Sequence, residues 1–111
     1  MPVQFLLGQA GPLPITVNFQ ALTDAPVYLE VQGSVWTQSA NSITGIQIAV
    51  DGGVVGKAEI FSNTPSTHRA TVPAFIPLLL KPGQHSLTLS AEPGTTTVSD
   101  FNDRYVAVIH Y

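Results

Sequence analysis

The chain has no cysteine. A disulfide framework, a thiolate nucleophile and a Cys-ligated zinc are therefore all excluded. Charge is nearly as scarce. Only 10% of the 111 residues are Asp, Glu, Lys or Arg, against about 25% in an average soluble domain. Four Lys/Arg stand against seven Asp/Glu, for a net charge of −3. No basic patch can form, so nucleic acid is not an expected partner. The abundant Glu, Lys, Arg and Leu of a coiled coil are missing too. No apolar stretch approaches the ~20 residues of a membrane span. The longest, Pro73 to Leu80, contains two prolines. The opening residues, Met1-Pro2-Val3-Gln4-Phe5-Leu6-Leu7-Gly8, lack the positive flank and long apolar stretch of a secretory signal. A soluble chain of unassigned compartment is expected, with no membrane partner.

What is present points to strands. Hydrophobic residues make up 44% of the chain, and Gly and Pro contribute nine each. That is too apolar for a disordered segment. Its length suits one domain, spanning 1–111. No helical period survives a count. Apolar residues alternate instead, with β-branched types dominant. Strands are expected near 3–7, 13–19, 26–37, 44–51, 54–61, 68–80, 84–91 and 103–111. Turn chemistry separates them. Asp51-Gly52-Gly53 is a tight-hairpin signal, and Lys81-Pro82-Gly83 places Pro and Gly where a β-turn wants them. About eight antiparallel strands predict an all-β, two-sheet jelly-roll sandwich.

The strands sort into two kinds. In 44–51, 54–61 and 84–91, apolar residues (Ile46, Ile48, Val50; Ala58, Ile60; Leu87, Leu89) alternate with polar ones, as in a sheet with one wet face. In 26–37, 68–80 and 103–111, much of the second face is apolar as well. Phe75, Pro77 and Leu79 oppose Val72, Ala74, Ile76, Leu78 and Leu80, while Val106, Val108 and His110 oppose Tyr105, Ala107, Ile109 and Tyr111. A sandwich needs only one apolar face per sheet, and a second must be covered. With no helix to cover it, further copies of the same chain are the economical answer.

Candidate chemistry is sparse. Arg69 and Asp103 could grip vicinal hydroxyls through charge-assisted hydrogen bonds, or form a structural ion pair. Trp36 shares a face with Tyr28, Glu30, Gln32 and Ser34. It reads as a sugar-stacking platform or as an interface anchor. Asp100-Phe101-Asn102-Asp103 concentrates oxygen ligands as a calcium loop does, but it lacks EF-hand spacing and equally reads as an Asx-type turn. His68, His85 and His110 have no metal-ligand spacing. His85-Ser86 lacks a nucleophile elbow. No cofactor motif occurs, and a hydrolase would need His and Asp to converge in a pocket.

One sheet wet outside and one dry on both faces resembles the trimeric jelly rolls of the TNF/C1q-like superfamily. The stretch Gly45-Ile46-Gln47-Ile48-Ala49-Val50-Asp51-Gly52-Gly53-Val54-Val55-Gly56 is similar to the middle hairpin of the small TNF-like bacterial lectins. The resemblance implies that 26–37, 68–80 and 103–111 share an inner sheet around a threefold axis, with 44–51, 54–61 and 84–91 outside. His68-Arg69 and Asp103-Arg104-Tyr105 fall near positions where such lectins place sugar-binding Arg and Asp. The resemblance carries over Arg69 and Asp103 only, as ligand contacts; Trp36, Tyr105 and His68 stand beside them as candidate ligand-binding residues. The expectation is a non-enzymatic, homotrimeric carbohydrate-binding module with sites at protomer seams. The alternative is a structural assembly protein, such as a phage virion or tail-tip component.

Overall fold

A computed structural model describes residues 2–111. Ten strands form among the described residues, all antiparallel where paired: β1 (Val3–Ala10), β2 (Ile15–Ala21), β3 (Val27–Thr37), β4 (Ser42–Val50), β5 (Gly53–Ser62), β6 (Arg69–Ala70), β7 (Ala74–Leu78), β8 (Gly83–Ala91), β9 (Thr97–Val98) and β10 (Arg104–His110). One sheet runs β1-β10-β3-β6, with β7 and β9 also pairing β3; the other runs β2-β8-β4-β5. The chain is thus an all-β sandwich of two antiparallel sheets. The doubly apolar strands share one sheet and the alternating strands the other, because period-2 patterning reports which faces are buried. Among the described residues, no helix is long and apolar enough to cross a membrane.

The count differs from eight at identifiable places. The expected strand 68–80 breaks between β6 and β7. Pro73 has no N–H to give a ladder, Thr71 N–H donates to Gly33 O (2.8 Å), and Val72 N–H crosses to Glu59 O of the other sheet (2.9 Å). Val72 is consequently exposed rather than buried with Ala74 and Ile76. β9, only two residues long, was not anticipated, and β1 runs three residues further than expected.

The core lies between the sheets. Leu29, Val31, Val35, Tyr105, Ala107 and Ile109 of one sheet meet Ile46, Ile48, Leu87 and Leu89 of the other, all essentially without solvent contact. Gly33 is required here. A Cβ on it would lie 2.3 Å from the Tyr105 ring and 2.8 Å from Arg104 O. On the outer face of the first sheet, Val3, Phe5, Tyr28, Phe75 and Val106 remain exposed, with Leu79 just beyond β7. The hydrogen-bonded pair of His110 Nε2 and Glu30 Oε1 (2.7 Å) sits beside them, and the Phe75 ring centroid lies 6.1 Å from that of His110.

The β4–β5 hairpin closes through Asp51 (φ 51°) and Gly52 (φ 81°), the left-handed pair that a two-residue turn of this hand demands. Asp51 also ties the hairpin to β8. Its Oδ1 accepts from Ser86 N–H (2.9 Å) and its Oδ2 faces His85 Nδ1 (2.6 Å). His85 Nε2 faces Lys81 O at 2.6 Å, and the ring stacks on Phe19. Both ring nitrogens meet acceptors, so only the doubly protonated imidazole satisfies both. Accordingly the Asp51 hydrogen bond raises the His85 pKa above 6.5, and the His85 hydrogen bond lowers that of Asp51 below 3.8. A raised histidine pKa gives stability that is complete below about pH 6.5 and is lost as pH climbs through the folded value; the lowered Asp51 pKa gives stability lost as pH falls below about 3.8. The pair therefore contributes most between these limits. Thermal melts of the parent and His85→Gln across pH should differ most near pH ~5 and converge above neutrality. A difference independent of pH would contradict the imidazolium staple.

Candidate functional site

The predicted site residues gather at one end of the sandwich, where the last residues of β3 are overlaid by the loops before β6 and before β10. Val35 points into the core, so its neighbours Ser34 and Trp36 face outward. Both are half-buried because the two loops fold over them. Asp103 has no solvent exposure at all. Its Oδ1 accepts from Ser34 Oγ–H (2.7 Å) and faces His68 Nδ1 (2.7 Å), while its Oδ2 accepts from Asp100 N–H (2.9 Å). An ionised carboxylate only accepts, so Nδ1 of His68 carries the proton. The Asp103 carbonyl in turn accepts from Gly11 N–H (2.8 Å). One side chain thereby links β3, the loop before β6 and the loop before β10, and its backbone adds the β1–β2 connection.

His68 is the group that this anchor presents. Its Nε2 lies 3.7 Å from Asp100 Oδ2, and its ring centroid is 6.0 Å from that of Trp36. The Asp103 hydrogen bond raises its pKa, against the opposing effect of burial. Asn102 N–H donates to Asp100 Oδ1 (2.8 Å), so the 100–103 loop closes as an Asx-type turn. Phe101 at its tip is 80% exposed.

The five predicted residues fare differently. His68, Asp103 and Trp36 come together. Asp103 serves His68 and the loop, not Arg69. Arg69 is exposed on β6, and among the described residues no carboxylate lies within ion-pair distance of it. Tyr105 is fully buried and offers no face to a ligand. Its ring fills the space left by Gly11 and Gly33, and burial pushes its hydroxyl up to about 12. The indole N–H of Trp36 is buried without a partner. Sequence reasoning placed Ser34 beside Trp36 but not as a partner of Asp103, and it treated Phe101 only as part of a calcium loop or Asx-type turn. The free aromatic between two polar residues was the available signal.

Among the described residues, His68, Asp100 and Asp103 offer ligand atoms all within 4.8 Å of one another, a set that could hold a metal. His68 could ligate through Nε2 only in its neutral form, with Nδ1–H remaining on Asp103. His and Asp do converge here, as a hydrolase would need, but no hydroxyl nucleophile is hydrogen-bonded to His68 Nε2 among the described residues.

No family model and no curated protein sequence matches the chain. Solved structures do resemble it. Dimeric latent PorU from Porphyromonas gingivalis superposes with a TM-score of 0.54 at 10% identity, covering 96% of this chain and 11% of that one. The exo-β-1,3-galactanase of Phanerochaete chrysosporium, solved with β-1,3-galactotriose, gives 0.51 at 13%, covering 98% and 26%. A family 35 carbohydrate-binding module from Clostridium thermocellum gives 0.48 at 10%, covering 96% and 90%. The chain thus spans a small part of the first two proteins. At these identities the first two similarities establish the β-sandwich fold and nothing finer.

Asp103→Asn should leave a donor facing donors at the anchor, costing about 1–3 kcal/mol in urea unfolding. It should also drop the His68 pKa back toward 6.5 in an NMR titration, because its largest cause is removed. An unmoved His68 titration would contradict the anchoring role.

Proposed function

We propose that the chain is a non-enzymatic carbohydrate-binding module whose ligand rests on the loop end of the sandwich. The observation that carries this reading is an aromatic ring, Phe101, held free in water beside Asp100, with His68 and Asp100 oriented from beneath by a buried carboxylate. Sugar rings present C–H faces that pack on aromatic rings and hydroxyls that take charge-assisted hydrogen bonds. His68, Asp100 and exposed Arg69 supply those bonds; Phe101 and the half-buried edge of Trp36 supply the apolar surface. Asp103 acts as a positioning residue, and no metal is required by this arrangement.

The finer part of the proposal is a homotrimer, formed over the apolar outer face of the β1-β10-β3 sheet. Phe5, Tyr28, Phe75, Leu79 and Val106 are exposed there together. Several linked weak sites then give avidity without new contacts. The same face favours the alternative of a structural assembly protein, which would form open rather than closed oligomers. Light scattering at micromolar concentration should show a closed trimer. A monomer would overturn the trimer, and a filament would favour the assembly protein.

Glycan-array screening followed by calorimetry tests the binding itself, with β-1,3-galacto-, xylo- and gluco-oligosaccharides among the probes. Phe101→Ala should weaken a bound glycan by roughly 3–10-fold, since one aromatic contact is worth about 0.5–1.5 kcal/mol. Its melting temperature should barely move, because an exposed side chain contributes little to stability. An array without hits, or a Phe101→Ala variant of undiminished affinity, would contradict the site.

A further inference from the structure

A separate feature lies on the outer face of the second sheet. An open cavity of about 420 Å³ is lined by Gln47, Val54, Gly56, Lys57, Glu92 and Pro93. That volume is within the range of small-molecule sites. None of these residues belongs to the His68 cluster. Gln47 and Lys57 are register partners on β4 and β5, so their side chains stand on one face. Glu92 follows β8 directly, and its backbone N–H is fixed to Gly45 O (3.0 Å).

Glu92 is the unusual member. Its side chain is nine-tenths buried, and its buried Oε1 has no hydrogen-bond partner. The charged groups facing it are both from β5. Lys57 Nζ stands 3.7 Å from Glu92 Oε1 and 3.4 Å from Glu59 Oε2. Gly45 and Gln47 of β4 and Thr95 of the following loop bring no charge. Burial, reinforced by Glu59, lifts the Glu92 pKa to about 7, whereas hydrogen bonding to Glu92 lowers that of Glu59. Near neutrality the group therefore approaches zero net charge: one ammonium, one carboxylate and one carboxyl partly in its protonated form. Lys57 is within ion-pair reach of Glu92 Oε1 but beyond hydrogen-bond distance, so the carboxyl at the cavity wall keeps hydrogen-bonding capacity that the protein itself does not use.

We propose that this cavity is a second binding subsite, taking one or two units of a neutral glycan with Glu92 as its central hydrogen-bonding group. Hydroxyls donate and accept at once, as does the lining: the Glu92 carboxyl, the Gln47 amide and the Lys57 ammonium, the last held in turn by Glu59 behind it. Val54 and Pro93 provide an apolar wall for the C–H face of a ring. A strongly anionic or cationic ligand would find no compensating net charge. The protonated carboxyl donates to a sugar acceptor oxygen as well as accepting, whereas ionised Glu92 only accepts and holds Lys57 in an ion pair, so binding through a sugar acceptor oxygen weakens as Glu92 ionises. The subsite shares no residue with the one at Phe101, and either could bind without the other.

An amide-resolved NMR titration with xylo-, gluco- and β-1,3-galacto-oligosaccharides tests this, run at about pH 6 and about pH 8, on either side of the Glu92 value of about 7. Shifts should cluster on Gln47, Val54, Gly56 and Lys57. Apparent affinity should fall by up to roughly tenfold at the higher pH, as the competent protonation state becomes a minor one. Glu92→Gln mimics the neutral carboxyl, and should keep binding while abolishing that pH dependence. Glu92→Leu should erase these shifts with the remaining spectrum unchanged. Shifts confined to Ser34, Trp36, His68 and Phe101 would overturn the second subsite and leave the first standing. Shifts in neither region with any probe would overturn both, and a pH dependence unchanged in Glu92→Gln would overturn the role of Glu92.

Discussion

A buried carboxylate is tolerated only when donors surround it, because an ion stripped of water without partners costs several kcal/mol. Asp103 imposes that condition on one whole end of the molecule. Its donors come from β3 (Ser34), from the loop before β6 (His68) and from the loop before β10 (the Asp100 amide). Each segment is held where it can reach the carboxylate. The Asx turn that exposes Phe101, the orientation of His68 and the cover over Trp36 all follow from it. Tyr105 forms the floor, admitted by two glycines that leave room for its ring.

Most of the chain's few carboxylates are placed in the same manner, each beside a histidine or lysine. Asp51 with His85 ties the hairpin to β8. Glu30 with His110 sits on the apolar outer face. Lys57, Glu59 and Glu92 meet at the cavity. His68, Asp100 and Asp103 meet at the loop end. A low-charge surface leaves broad apolar area free, and the first sheet shows it. Ionisable groups then act at discrete junctions rather than as a solvating coat, which makes the molecule more sensitive to pH near neutrality than its net charge suggests.

Much of the fold was legible because strand patterning is local. Alternation assigned Ile46, Ile48, Val50, Leu87 and Leu89 to one buried face, and the doubly apolar strands to a common sheet. The break at Thr71–Pro73 was hidden because the apolar run continues across it, while its cause is a contact with Glu59 far away in sequence. A two-residue strand such as β9 carries no period to detect. The site was legible in residue type but not in pairing. His68 and Asp103 were both singled out, yet Asp103 was matched with Arg69. Adjacent residues on an extended chain point oppositely, so a chain that turns His68 toward Asp103 turns Arg69 away. The cavity was not legible at all, since Gln47, Lys57 and Glu92 become neighbours only through the β5–β4–β8 register.

The central claim is that Asp103 organises the loop end into a rigid presenting surface. Native-state hydrogen exchange at the Asp100 amide measures this most directly, because that N–H points at Asp103 Oδ2 from within a loop. The account predicts protection comparable to that of β3 and β10 amides, lost only on global unfolding. Exchange at the rate of an open loop would contradict it.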